Sequence, residues 1–192
     1  MFYKYGSANN LNRLLHQRNL TQYNNIQTRL QLSVDYVKIM AFLHNSPIGV
    51  RVMCDTGNLR KLLSQYLITD DFHMVVNDLD RLAQVTKDGA CRKNFQVSDP
   101  LERELQWRDR PNETEPPKFS WARQYHEKSD IWQLPWVVQK LLSNVKGSDF
   151  VKTQLHEIME RCNAINPQLR PTANEVLQEL LRVQKVIRAV SN

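Results

Sequence analysis

Long apolar runs are missing from this chain, and so is any recognisable targeting segment. No uninterrupted hydrophobic stretch approaches the ~20 residues that a membrane-spanning helix needs. The start, MFYKYGSANN, has neither the basic region nor the apolar stretch and cleavage site of a signal peptide. Cysteine is scarce: Cys54, Cys91 and Cys162 show neither zinc-ligand spacing nor a C-x-x-C pair, and an odd number cannot all pair within one chain. Their count leaves the redox compartment open. Clustered basic residues are also lacking. The net charge of +6 comes from residues 1–61, which hold eight Lys and Arg against two acids. Yet Arg13, Arg18, Arg29 and Lys38 stand singly without aromatic residues between them, which argues against a nucleic-acid partner. Two N-x-[ST] matches, at Asn19 and Asn112, are no more than a chain rich in Asn produces by chance. Internal repeats and low-complexity segments are absent.

What is present is the composition of an ordinary folded domain, with 41% hydrophobic and 24% charged residues in a chain of 192. Leu11, Leu14 and Leu15 predict a helix over 8–18. Ile26, Leu30, Val34, Val37, Met40 and Ala41 predict a second, ending near Pro47. Val50 to Met53 predicts a short strand followed by a loop. Tyr66-Leu67-Ile68 and Met74-Val75-Val76, either side of the turn signal Thr69-Asp70-Asp71, predict a hairpin. From Lys87 to about Lys128 the periodicity fades, and Pro100, Pro111, Pro116 and Pro117 break a segment too long for an ordinary loop, so it is either functional or disordered. Helices are predicted over 127–142, nearly all apolar, over 150–162, and from Pro171 onward, where Thr172 and Glu175 form a capping box. The fold class is mainly α with a small β hairpin.

Chemistry enters at His73 to Asp80, HMVVNDLD, where strand-forming aliphatics give way to an Asn and two acids. A buried carboxylate is costly unless it is paired, hydrogen-bonded or bound to a metal, so Asp78 either closes a turn or has a task. A helix leading to a strand, an Asp-bearing loop, a hairpin and a second Asp resembles the lower lobe of protein kinases. Met53-Cys54-Asp55 stands where kinases have H-R-D, and Asp78-Leu79-Asp80 where they have D-F-G. Gln65-Tyr66-Leu67-Ile68 resembles the Asn-Leu-Leu-Ile of the catalytic loop. Ser129-Asp130-Ile131-Trp132 resembles the D-[VI]-W of the central buried helix, and Leu169-Arg170-Pro171-Thr172 the R-P-[ST] before the last one. The departures, V-M-C-D with a lengthened loop, L-S-Q-Y-L, N-D-L-D, E-K-x-D-I-W, G-S-D and R-P-T, resemble the protein O-mannose kinase family. That likeness runs from about Phe2 to Arg188 and weakens between Ala90 and Ala122.

The resemblance implies a single protein-kinase-like C-terminal lobe over 1–192, with the N-terminal lobe absent. Its parts are a hinge at about 2–7, catalytic and metal loops over 50–82, an activation and substrate segment over 83–126, and a helical subdomain over 127–192. It implies ATP and Mg2+ as cofactors, and as acceptor the 6-hydroxyl of O-linked mannose on a glycoprotein such as α-dystroglycan. The setting would be the endoplasmic reticulum lumen, with membrane contact only through a missing N-terminal anchor. The polypeptide alone is expected to bind ATP weakly and to turn over nothing measurable; a catalytically dead scaffold is the competing reading. Asp55 would accept the proton of the sugar hydroxyl, and Asp78 would ligate magnesium. Gln65, a neutral ligand on a longer arm than Asn, leaves a second metal open. Lys61 and Arg60 are candidates to steady phosphate, or are simply exposed. Cys54 in place of the usual Arg argues against switching by activation-loop phosphorylation. Asp130 and Arg170 are expected to brace the structure, with Glu102 as the partner of Arg170 and Glu104 competing. Asp80, in place of the family's usual Gly, reads as a solvated turn residue or a salt-bridge partner, His44 as a cap or core residue, and Trp107 and Trp121 either pack or stack on sugar rings.

Overall fold

The computed structural model describes residues 9–10, 24–54, 59–69, 71–77, 79–87, 90, 126–164 and 166–191. Helices dominate. In chain order the elements are β1 (Asn9–Asn10), α1 (Ile26–His44), β2 (Arg51–Met53), α2 (Leu59–Ser64), β3 (Tyr66–Ile68), β4 (Met74–Val76), a 3-10 turn (Leu79–Arg81), β5 (Leu82–Gln84), α3 (Glu127–Leu142), α4 (Ser148–Cys162), a second 3-10 turn (Pro167–Leu169) and α5 (Ala173–Ser191). The strands form two small antiparallel sheets, β1-β3-β4 and β2-β5.

Helix α1 is the element on which the others are assembled. Asn25 opens it by accepting the Thr28 N–H at 2.9 Å, satisfying one of the donors that a helix start leaves free. Its burial is not confined to one stripe, because Leu30, Leu32, Val34, Tyr36, Val37, Met40, Ala41 and Leu43 are all buried. Such a helix needs neighbours all round, and α5, α3, β4 and β2 supply them. At its end the Asn45 N–H and side-chain amide both donate to the Ala41 carbonyl. The chain then turns into β2 through Gly49, whose φ of +98° suits glycine. A Cβ at this position would stand 2.6 Å from the Gln84 side-chain amide of the paired strand β5.

Helices α4 and α5 bury matching stripes, Val151, Leu155, Ile158 and Cys162 on one, and Val176, Leu180, Val183 and Ile187 on the other. Both stripes follow steps of three and four along a 3.6-residue period. The capping box forms as expected: Glu175 accepts from the Thr172 backbone at 2.7 Å, and the Thr172 hydroxyl accepts from the Glu175 N–H at 3.2 Å. Helix α3 continues through Pro135 despite the lost donor there, held by Leu134, Val137 and Leu141, each fully buried.

Several boundaries differ from the sequence reading. Asn9 and Asn10 pair with Ile68 and Leu67 as strand β1, so the helix expected from residue 8 does not begin there; residues 11–23 lie outside the described residues. The competing force is ladder pairing along the side of β3 opposite β4, a tertiary contact that local spacing does not encode. The stretch expected to be a loop after β2 contains helix α2, and the chain after Asp78 adds the unforeseen strand β5. The hairpin, α1 and α3 match expectation, and α4 starts two residues earlier, at Ser148.

Leu180→Ala is expected to lower the unfolding free energy by about 2–5 kcal/mol, through lost burial and an unfilled cavity. Leu169→Ala, 66% exposed in the second 3-10 turn, should shift it by less than about 0.5 kcal/mol. Urea unfolding followed by circular dichroism reads both.

Candidate active site

Main-chain bonds bring together the segments that flank the two acids. β2 and β5 pair in register, Met53 with Leu82, and the next bond of that ladder runs from the Cys54 N–H to the Arg81 carbonyl at 3.0 Å. β3 and β4 pair Tyr66 with Val76, and just beyond them the Asn77 N–H donates to the Gln65 carbonyl at 2.8 Å. Asp55 follows Cys54, and Asp78 follows Asn77. Both acids, together with Glu102, Glu104, Trp107 and Trp121, lie outside the described residues.

Gln65 is 5% exposed and sits where α2 hands over to β3. Its amide Nε2 donates back to the Lys61 carbonyl at 3.3 Å, so Oε1 is the atom that a cation would take. Lys61 lies exposed on α2, and Arg60 belongs to the same short helix. Asp80 is exposed in the 3-10 turn, beside Leu79 at 64% exposure.

Beneath the strands lies a buried polar cluster. His44 Nε2 meets Asp130 Oδ2 at 3.0 Å, with side chains only 9% and 8% exposed. Asp130 also acts on Tyr66, whose phenol is pushed well above its usual range, first by burial and then by the carboxylate's charge. Tyr66 in turn packs edge-on against Tyr36, ring centroids 5.1 Å apart. Asp130 therefore braces the floor of this region through His44, and His44 is the partner that the sequence reading left as a plain cap or core residue.

Arg170 is buried in a bracket of its own. Its Nε donates to the Ala164 carbonyl and an Nη to the Lys128 carbonyl, both at 2.9 Å, while its guanidinium lies 4.6 Å over the Trp132 ring. Lys128 closes the loop by donating to the carbonyls of Arg170 and Pro171. These contacts tie the start of α3 to the connection between α4 and α5, whereas the partner expected for Arg170, Glu102, lies outside the described residues.

Two further features escaped the sequence reading. Cys54 is disulfide-bonded, whereas Cys162 is free and buried; the third cysteine, Cys91, lies outside the described residues. Burial pushes the Cys162 thiol up to about 12, so it stays protonated and inert. The second feature is Asp35, a buried acid on α1 that touches β4. An acid inside the run Val34, Tyr36, Val37 was the signal that marked it.

Among the described residues no three His, Cys, Asp or Glu side chains gather as a metal-binding group. Oxygen donors remain the chemistry on offer, since Cys54 carries no thiolate and His44 and His73 are engaged by Asp130 and Asp35. One carboxylate and one amide oxygen fit a hard divalent cation that keeps its waters and leans on a phosphorylated ligand, as magnesium does.

No protein-family model matches this chain. Curated relatives do. It is 38% identical over 194 residues to a Homo sapiens protein named "Protein O-mannose kinase", and equally to its Macaca fascicularis counterpart, in each case across 97% of this chain and 54% of the relative. A Xenopus laevis protein of the same name is 41% identical over 167 residues, covering 84% of this chain and 46% of the relative. The chain thus spans about half the length of the curated relatives that it matches.

His44→Ala is expected to cost about 2 kcal/mol, since it removes one hydrogen-bond partner from a buried carboxylate. His44→Gln, which keeps a donor on a similar arm, should recover part of that loss in the same thermal-unfolding assay. Separately, peptide mapping of the unreduced protein should recover Cys54 in a disulfide-linked peptide, with Cys162 alkylated only after unfolding.

Proposed function

This chain is a homologue of the protein O-mannose kinases, and on that premise we propose that it forms the lower half of an ATP-dependent carbohydrate kinase site with a protein-kinase-like C-terminal lobe. The acceptor is the 6-hydroxyl of an O-linked mannose on a glycoprotein, of which α-dystroglycan is one example. The observation that supports the reading is the bond from the Cys54 N–H to the Arg81 carbonyl, which joins the residue before Asp55 to the chain three residues past Asp78, with the Asn77 to Gln65 bond linking the residue before Asp78 to Gln65.

In this mechanism Asp55 would accept a hydrogen bond from the mannose hydroxyl, orient its lone pair toward the γ-phosphorus, and take its proton as the new bond to phosphorus forms, while the bond from the γ-phosphorus to the bridging oxygen breaks and ADP leaves. Asp78 would hold Mg2+, with Gln65 Oε1 available as a weaker neutral ligand. The bound metal supplies neutralisation of charge on the phosphate oxygens. Lys61 and Arg60 on α2 offer cations to the same oxygens, and Asp130, Arg170 and Glu102 act as braces rather than reactants. The Cys54 disulfide supports a site in the oxidising lumen of the endoplasmic reticulum, because such bonds persist there and not in the cytosol.

A second reading, a binding module without turnover, is favoured by one observation, the exposure of Leu79 beside the metal segment. Millimolar ATP with Mg2+ separates the two. Stabilisation by about 1 kcal/mol, or 2–4 °C in melting temperature, is expected for the chain, and Asp78→Asn should abolish it. Transfer of labelled γ-phosphate to a mannoside is then expected once the chain is joined to the remaining half of a curated relative, and lost with Asp55→Asn. No shift at millimolar nucleotide would favour the binding module.

A further inference from the structure

The edge strand β4 leads, through Asn77, straight into Asp78, and something must fix its free side. The Thr69 N–H donates to the His73 carbonyl and the Asn77 N–H to the Gln65 carbonyl, so residues 73 and 77 turn their bonding groups toward β3. By the alternation of an antiparallel ladder, Met74 turns its N–H the other way, toward α1. There the carboxylate of Asp35 takes the place of a neighbouring strand. Its Oδ2 accepts the Met74 N–H at 3.2 Å and lies 2.9 Å from His73 Nδ1, and its Oδ1 accepts from Gln31 Nε2 at 2.8 Å. Gln31 Oε1 in turn accepts from Gln184 Nε2 at 2.8 Å and from Arg188 at 3.4 Å, both on α5. Asp35 and Gln184 are buried.

We propose that Asp35 is a positioning residue for the metal-binding segment: held by Gln31 and anchored to α5 through Gln184, it fixes the outer edge of β4 and thereby the place of Asp78. This rests on the reading of Asp78 as the magnesium ligand, but the positioning itself is a statement about the backbone. A buried carboxylate with donors on three sides has one orientation that satisfies them all, so the chain Gln184, Gln31, Asp35, Met74 transmits the position of the last helix to the metal loop. The geometry also explains why an acid sits in the buried face of α1, where its desolvation would otherwise be a pure loss.

Hydrogen exchange on the nucleotide-free chain tests this. In Asp35→Ala, amides 74–77 are expected to exchange about tenfold faster than in wild type while those of α4 change far less. Asp35→Asn keeps an oxygen for the Met74 N–H and should restore most of the protection. Gln184→Leu, which spares Asp35 and guards against a misfolded alanine variant, should show the same local pattern at smaller amplitude. The Mg2+ concentration giving half-maximal stabilisation by ATP should rise several-fold in the order wild type, Asp35→Asn, Asp35→Ala. Exchange that quickens equally in α4 and β4, or that stays at the wild-type rate in β4, overturns the proposal. Wild type that ignores Mg2+ and ATP overturns the kinase reading instead, while the exchange data still decide whether Asp35 holds the strand.

Discussion

Most of helix α1 is buried, so each buried polar side chain on it must find a partner or stand as an uncompensated loss. Three of them meet that constraint at its start, middle and end. Arg29, with Asn24 holding its Nε and one Nη, donates to the Leu141 carbonyl at the close of α3. Asp35 holds β4, and His44 holds Asp130 at the opening of α3. Apolar contact would allow these elements to slide over one another, whereas directional bonds inside a low-dielectric core fix them in register. The helix acts as a ruler against which both the strands and α3 are set.

On the proposed function that ruler would matter for chemistry, because phosphoryl transfer depends chiefly on positioning and on placed charge. The region around the candidate acids is made of strands three residues long, which have little stability of their own. They borrow order from α1, whose Tyr36 packs against Tyr66 of β3 and whose His44 meets Asp130 of α3. The Arg170 and Lys128 bracket fixes the start of α3 independently, from the side of α4 and α5. Cys54, which follows β2, is locked in a covalent bond.

The long helices were legible because their signals are local: the apolar stripes of α1, α4 and α5, and the Thr172 and Glu175 capping box, lie within a few residues of one another. The strands were harder. β1 and β5 carry no period long enough to read, and they exist because β3 and β2 offer partners far away in sequence. Helix α2, with six residues, is too short to show amphipathic spacing and was read as loop. The acids at 55 and 78 are expectations from motif resemblance and lie outside the described residues, whereas the partners of His44 and Asp35 and the Cys54 disulfide needed coordinates, since sequence distance conceals them. Asp35 alone left a trace, as a charge inside a buried run.

The proposed function rests on a divalent ion held by Asp78, which follows β4, with Gln65 and Cys54 nearby. Substituting Mn2+ for Mg2+ in the presence of ATP and recording paramagnetic broadening of assigned amide resonances measures this directly. The account predicts that Cys54, Gln65, Asn77 and Leu79 broaden together while the middle of α4 stays sharp. Broadening centred on any other surface, or at Cys54 without Asn77, would contradict it.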